Sequence, residues 1–174
     1  MEFFEVVKQR HCIRAFDSKA LEPVEVQEIL KAASAAPSAG NLQAYEIYLV
    51  RKASLLAALA GAAGKQECVA SAPLALVFCA HPARSAPRYG DRGKRLYALQ
   101  DATIACTFAM LAATALGLGS VWVGAFEDAA VHRILKAKED WRPVALLPIG
   151  YPAESPAPTP RRALGELVLE ASKL

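Results

Sequence analysis

Arg10 and Arg14 stand four residues apart in the stretch RHCIRAF, and Arg161 and Arg162 stand side by side towards the other end of the chain. Guanidinium groups pair bidentately with carboxylate and phosphate oxygens, so two such clusters could close on one phosphate. Between them lie Ser38, Asn41 and Gln43 in APSAGNLQAY, and Gln66 further on. These hydroxyl and amide groups can hold a polar ligand without ionising. Catalytic machinery of the protein's own is missing from the sequence. There is no G-x-S-x-G elbow, P-loop or paired-carboxylate motif. GLGSVWVG misses the dinucleotide fingerprint, because its third glycine comes too late and a strand-like segment follows it. Ligand-holding groups without a nucleophile fit a protein whose chemistry is borrowed from a cofactor.

The totals limit what can position these groups. At 174 residues the chain should form a single domain over 1–174 with a real core. Hydrophobic residues make up 54% and charged residues 21%. So apolar a chain points to a further surface covered by a second copy, the alternative being a well-filled monomer core. The net charge of +3 and aromatic content of 7% lack the basic stripe or stacking aromatics of a nucleic-acid binder. Arg84, Arg88, Arg92, Lys94 and Arg95 do crowd together, with Asp91 as the only acid among them. A solvated loop is favoured there over an anion-attracting rim.

The cysteines Cys12, Cys68, Cys79 and Cys106 show no C-x-x-C spacing, and only three histidines exist. No metal site is expected, and no disulfide framework, which fits a reducing cytoplasm. MEFFE at the start carries no basic region or long apolar run, so no signal peptide is expected. No charge falls between Asp101 and Glu127, a run long enough for a bilayer span of ~20 residues. It is rich in Ala, Thr and Gly and broken by Gly117 and Gly119, which favours a buried central helix over a membrane span.

Along the chain, Phe3, Val6 and Val7 share one helical face, and Arg10 falls on the same stripe, so an anion should await it. Val26, Ile29, Leu30 and Ala33 mark a second helix, with Pro23 in its first turn. YEIYLV reads as a strand. Ser54 is a candidate N-cap for a helix burying Leu55, Leu56 and Leu59. LALVFCA and PVALLPIGYP read as buried strands. Residues 81–94, with two prolines and two glycines, read as a mobile loop. Arg95 to Leu116 is the long apolar helix, and GSVWVG is an extended segment after it. Asp128 is a candidate cap for a short helix burying Val131, Ile134 and Leu135. PAESPAPTP is a stiff spacer that should carry RRALGELVLE away from its own body, onto a second subunit.

These stretches, taken in order, resemble the FMN-dependent nitroreductase family over nearly the whole chain. RHCIRAF resembles its opening R-x-S-x-R-x-F, and APSAGNLQAY its A-P-S-x-x-N-x-Q-P-W. GLGSVWVGAF and RPVALLPIGYP follow in sequence, and RRALGELV resembles the closing R-x-x-L-x-E-L-V. The resemblance implies an α+β fold, with a central mostly antiparallel sheet flanked by helices, in an intertwined homodimer. The long apolar helix would lie at the two-fold interface. It also implies non-covalently bound FMN, reduced by NADH or NADPH in a ping-pong cycle that serves nitroaromatics, quinones or similar acceptors. Neither nucleic acid nor membrane is an expected partner.

By the same resemblance, Arg10, His11, Cys12 and Arg161 would hold the FMN phosphate. Gln66 and Arg162 are further cofactor-binding candidates. Arg14 would sit at the pyrimidine edge, where reduction accumulates negative charge. Pro37, Ser38 and Asn41 would reach the flavin of the other subunit. Val123, Gly124 and Ala125 would present a backbone N–H to the flavin N5, which makes Gly124 and Arg14 the catalytic candidates. Residues 81–94 would wall the pocket, with Tyr89 facing substrate. Two positions depart from the pattern. Cys12 replaces the usual Ser, a good phosphate donor, with a weak one, and Ala44 replaces the Pro after Gln43. His11 could equally be a surface residue at a helix end, and His81 and His132 read as structural or solvent-facing. Rival activities are another flavin reaction, such as dehalogenation or oxidation, and non-catalytic flavin binding.

Overall fold

A computed structural model describes residues 1–171. Residues 172–174, the end of the expected domain and of its tail, lie outside the described residues. Four strands form one antiparallel sheet: β1 (Tyr45–Val50), β2 (Leu74–Ala80), β3 (Gly119–Ser120) and β4 (Arg142–Gly150), in the order β1-β2-β4-β3. The helices are α1 (Phe3–Gln9), α2 (Pro23–Ser34), α3 (Ala53–Ala62), α4 (Glu67–Ser71), α5 (Pro82–Arg92), α6 (Ala98–Ala115), α7 (Asp128–Leu135) and α8 (Leu164–Leu167). This is the α+β arrangement that the family resemblance implies.

The unbroken apolar run of β2 follows from its place in the sheet. Successive side chains of a strand point to opposite faces, and helices cover both faces here. Leu74, Leu76 and Phe78 pack against Ile29 and Ala33 of α2 and Cys106 and Ala109 of α6. Ala75, Val77 and Cys79 pack on the other side against Leu59 of α3, Val69 of α4 and Val131 of α7. β4 repeats the division, with Leu147 and Ile149 on the first face and Leu146 on the second. Each fully buried Leu, Ile, Val or Phe among them contributes roughly 1.5–3 kcal/mol.

Helix α2 starts at Pro23, where a missing N–H costs nothing. Glu22 and Glu25 form a reciprocal capping box, and the Glu25 carboxylate also accepts the Tyr151 hydroxyl at 2.9 Å, tying the helix to the end of β4. In α6 the buried positions include Ala98, Ala102, Ala105, Ala109 and Ala113, a stripe of methyl groups that lets the helix lie close to its neighbours. The run Pro82–Ala115 is long and apolar enough to cross a membrane, but 44% of its apolar window is buried inside the fold.

Several local expectations are corrected. Residues 82–94 are helical after the His81 cap: Pro82 takes the first turn, and Gly90 absorbs a kink at φ 54, ψ −140, which a side chain would resist. The chain then runs through a π-helical turn, Gly93–Tyr97, into α6. Gly93 is required there, since a Cβ would come 2.7 Å from the Ser85 carbonyl oxygen. The Phe3–Val6–Val7 stripe is not buried as a unit. Val6 is 5% exposed, whereas Phe3 and Val7 are 62% and 49% exposed, because only the Val6 side turns inward. Arg10 is the extended residue that ends α1, not a member of a buried stripe. Lys52 and Glu127, not Ser54 and Asp128, occupy the N-cap positions of α3 and α7. Of GSVWVG only Gly119 and Ser120 join the sheet as a strand, with an isolated bridge at Val123.

Candidate functional site

RHCIRAF leaves α1 extended and is held at successive points. Ile13 donates its N–H to the Ser120 carbonyl at 3.0 Å, and Asp17 donates to that of Tyr151 at 2.9 Å. Ile13 turns inward, so close to Gly119 that a Cβ there would meet its Cγ2 at 2.7 Å. The chain leaving β4 runs back along this segment. Ala153 donates its N–H to the Ala15 carbonyl at 2.9 Å, and the Glu154 carboxylate accepts the N–H groups of Arg14 and Ala15. Pro156, Ala157, Thr159 and Arg161 border the same space as Arg10 to Arg14, so the spacer first runs along its own body, and residues 162–171 after it are exposed.

The result is a cavity of about 270 Å³ lined by Arg10, His11, Cys12, Arg14, Thr159 and Arg161, with no carboxylate in its wall. Three arginines border this one space, and an anion held among like charges relieves their repulsion. His11 Nδ1 lies 2.6 Å from the Gln9 carbonyl oxygen. A carbonyl only accepts, so Nδ1 carries the hydrogen and Nε2 is left for another partner. Arg14 lies near Cys68: burial pushes that thiol up, and the Arg14 charge offsets part of the effect. Gln66 is two residues before Cys68, at the N-cap of α4. Arg162 is engaged elsewhere, donating to the Glu166 carbonyl at 2.7 Å, so Arg161 is the tail arginine in this cavity.

The Pro37–Ala44 loop joins α2 to β1 and carries unusual backbone. Gly40, Asn41 and Gln43 all have positive φ, at 57°, 57° and 46°. Its polar side chains bond one another. Ser38 Oγ accepts the Gln43 N–H at 3.0 Å, and the Gln43 amide donates to Asn41 Oδ1 at 2.9 Å and to the Asn41 carbonyl. The Ser38 hydroxyl hydrogen and the Asn41 amide N–H groups remain to donate outwards. Asp101, 2% exposed, accepts the N–H of Ala39 at 2.9 Å and of Ala44 at 3.1 Å. Sequence reasoning missed Asp101, whose only signal was its place as the last charge before the uncharged run.

Pro37 and Ser38 line a second cavity of about 530 Å³ with Tyr97, Gln100, Thr103 and Ile104. Tyr89 packs edge-on against Tyr97 at 5.0 Å, and its hydroxyl would lie 2.5 Å from a Cβ at Gly40. The two cavities share no lining residue, so within one chain the candidate residues fall in two places. Val123 stands apart from both linings, exchanging backbone hydrogen bonds with Leu146 at 2.9 Å each. Gly124 and Ala125 after it are exposed, and their N–H groups meet no acceptor among the described residues. His81 lies 3.0 Å from Glu46 Oε1, and His132 Nε2 lies 2.8 Å from the Lys138 carbonyl oxygen, which gives both a structural role.

An antiparallel sheet clad on both faces, with an arginine-lined cleft where residues 10–14 meet residues 156–161, defines the class. The chain belongs to the nitroreductase family, whose profile matches residues 7–67 and 57–151. It is 31% identical over 188 residues to an NADH dehydrogenase of Thermus thermophilus, covering 92% of each chain. It is 30% identical over 164 residues to the NADPH-flavin oxidoreductase of Vibrio harveyi, covering 90% of this chain and 68% of that one. Among solved structures, the Vibrio harveyi NADPH:FMN oxidoreductase in complex with NAD+ matches with a TM-score of 0.90 at 29% identity, covering 97% of this chain and 76% of that one. A nitroreductase family protein from Clostridium novyi NT matches with a TM-score of 0.81 at 31% identity, covering 88% and 87%.

Proposed function

We propose that the protein is a homodimeric, FMN-dependent oxidoreductase that uses NADH or NADPH to reduce nitroaromatics, quinones or similar electron-poor acceptors. It is an enzyme of the NAD(P)H-dependent oxidoreductase class, as its named relatives are. The observation that carries the FMN reading is the cavity in which Arg10, Arg14 and Arg161 converge without a carboxylate. Its donors are those a phosphate monoester needs: forked guanidinium groups and the Thr159 hydroxyl. Among the described residues no carboxylate forms an ion pair with Arg10, Arg14 or Arg161, and Glu154 is taken up by the backbone N–H groups of Arg14 and Ala15.

In this reading Arg10 and Arg161 hold the phosphate, with His11 and Cys12 beside them and Arg162 bracing the tail through Glu166. Arg14 and the neighbouring Gln66 face the ring system. Bound FMN would supply hydride-transfer chemistry, linking a nicotinamide reductant to a second substrate in a ping-pong cycle. The protein's residues orient and polarise. The unpartnered Gly124 N–H is free to donate to N5, with Val123 fixed beneath it and Ala125 exposed after it. Arg14 supplies positive charge to the pyrimidine edge. Pro37, Ser38 and Asn41 of one chain complete the site of its partner, which accounts for their separation from the arginines within a single chain. Tyr89, against Gly40 and Tyr97, borders the acceptor's place.

Dimerisation is supported by apolar residues left bare: Phe3, Phe4 and Val7 on α1, and Leu164, Leu167, Val168 and Leu169 in the tail. The functional unit is one nitroreductase-like domain over 1–174. The four cysteines are free thiols, the state a reducing cytoplasm maintains, and that is the compartment proposed.

Purification tests this directly. The protein should be yellow, releasing FMN on denaturation, and should consume NAD(P)H steadily when a quinone is added. A colourless chain that takes up no added FMN overturns the reading. Bound FMN without turnover leaves a flavin-binding protein in place of an enzyme.

A further inference from the structure

We propose that Asp101 is the positioning residue of the Pro37–Ala44 loop, its buried carboxylate holding the backbone in the shape that presents Ser38 and Asn41 to the flavin. This rests on the reading that the loop contacts FMN. Asp101 is 2% exposed, and no Lys, Arg or His pairs with it among the described residues. A buried carboxylate without a counter-ion is costly. It is compensated here by two charge-assisted hydrogen bonds, one to each oxygen, from Ala39 and Ala44. Those two residues bracket the segment in which Asn41 and Gln43 take the left-handed conformation.

Asparagine tolerates left-handed backbone, but at a glutamine such as Gln43 it persists only where the surroundings over-determine it, and such strain gathers at ligand-binding segments. A plain connector from α2 to β1 could close on the Ser38–Gln43 bond alone and would need no buried charge. The anchor is firm, because Asp101 lies on α6, whose neighbouring turns are packed into the core. Ala44 gives the arrangement its particular form. Proline in that place would have no N–H. With alanine there, Asp101 Oδ2 takes the N–H, so a tether from α6 fixes the junction that a ring would otherwise stiffen.

Two measurements test this. In the flavin-free wild-type protein, the Ala39 and Ala44 amides should already be protected from hydrogen exchange, and adding FMN should change them little. Fast exchange that becomes protected only on FMN binding would show that the flavin orders the loop, and the proposal fails. In the second, FMN dissociation constants are measured for Asp101→Asn, Ser38→Ala and the double variant. Asp101→Asn keeps the shape but turns an amide donor towards one of the two N–H groups. It should weaken FMN by about tenfold or more. Ser38→Ala should then add nothing in its background, because the hydroxyl is no longer aimed. Additive losses, or an Asp101→Asn affinity within about twofold of wild type, overturn the proposal. A wild-type protein that binds no FMN overturns the functional reading and this proposal together, whereas normal wild-type binding with additive losses overturns the proposal alone.

Discussion

The Glu154 carboxylate accepts the backbone N–H of Arg14 across 140 residues of chain, and the same oxygen takes the Ala15 N–H at 3.2 Å. One side chain thereby pins the start of the proline-rich segment to RHCIRAF and decides where Thr159 and Arg161 arrive. Residues 152–171 are exposed, so little apolar burial competes with this tether. Glu154→Ala should weaken FMN by about 1 kcal/mol, roughly fivefold, by loosening Arg161 from the cleft. Glu154→Gln keeps an accepting oxygen and should lie between the two. Calorimetric titration with FMN checks the order, and an alanine variant that binds as tightly as the glutamine variant contradicts it.

Arg10 and Arg14 line the same cavity but should fail differently. Arg10→Ala removes a charge-assisted pair to the phosphate and should cost about 2–4 kcal/mol of FMN affinity. Arg14→Ala removes positive charge from the ring edge, where reduction adds negative charge. It should lower the midpoint potential and slow reduction by NAD(P)H at saturating FMN. For a two-electron couple, about 1.4 kcal/mol corresponds to roughly 30 mV. Dissociation constants and potentials of both variants decide this. A shifted potential in Arg10→Ala with none in Arg14→Ala reverses the two roles.

Phe4 is 83% exposed and Leu169 76% exposed in the single chain. Covering one such side chain contributes roughly 1.5–3 kcal/mol, so both should be buried between subunits. The protein should sediment as a dimer at micromolar concentration, and Phe4→Glu should shift it towards monomer and release flavin. A stable, folded wild-type monomer would contradict the shared site.

Thiol reactivity gives a check independent of flavin. Burial pushes the Cys79 thiol up to about 12, and pushes Cys106 up as well. Cys68 is also buried, whereas Cys12 is part-exposed and lines the arginine cavity. A thiolate-selective reagent at pH 8 should modify Cys12 first in the folded protein, and bound FMN should slow that reaction. Mass spectrometry of the labelled peptides reads the result, and equal labelling of Cys79 and Cys12 would contradict the packing of β2.

Much of the scaffold was legible because it depends on short-range periodicity. LALVFCA had to be a strand covered on both faces, and the spacing of Val26, Ile29 and Ala33 had to be a helix with one buried side. Ordered motifs carried the family. What the sequence left open depends on residues far apart meeting. Prolines and glycines in 81–94 spoke for a loop, but Gly90 takes the kink and Gly93 fits under Ser85, so the segment stays helical. Ser38 and Gln43 read as ligand groups, and only the left-handed backbone at Asn41 and Gln43 brings the Gln43 N–H to Ser38 Oγ and the Gln43 amide to Asn41. Asp101 looked like the edge of an apolar helix. Packing of α6 beside α2 and β1 brings the Ala39 and Ala44 N–H groups to its carboxylate. Local pattern determined which faces are buried, because burial follows strand and helix periods. Tertiary packing decided which polar groups meet, because a hydrogen bond depends on a separation of about 3 Å that no spacing along the chain encodes.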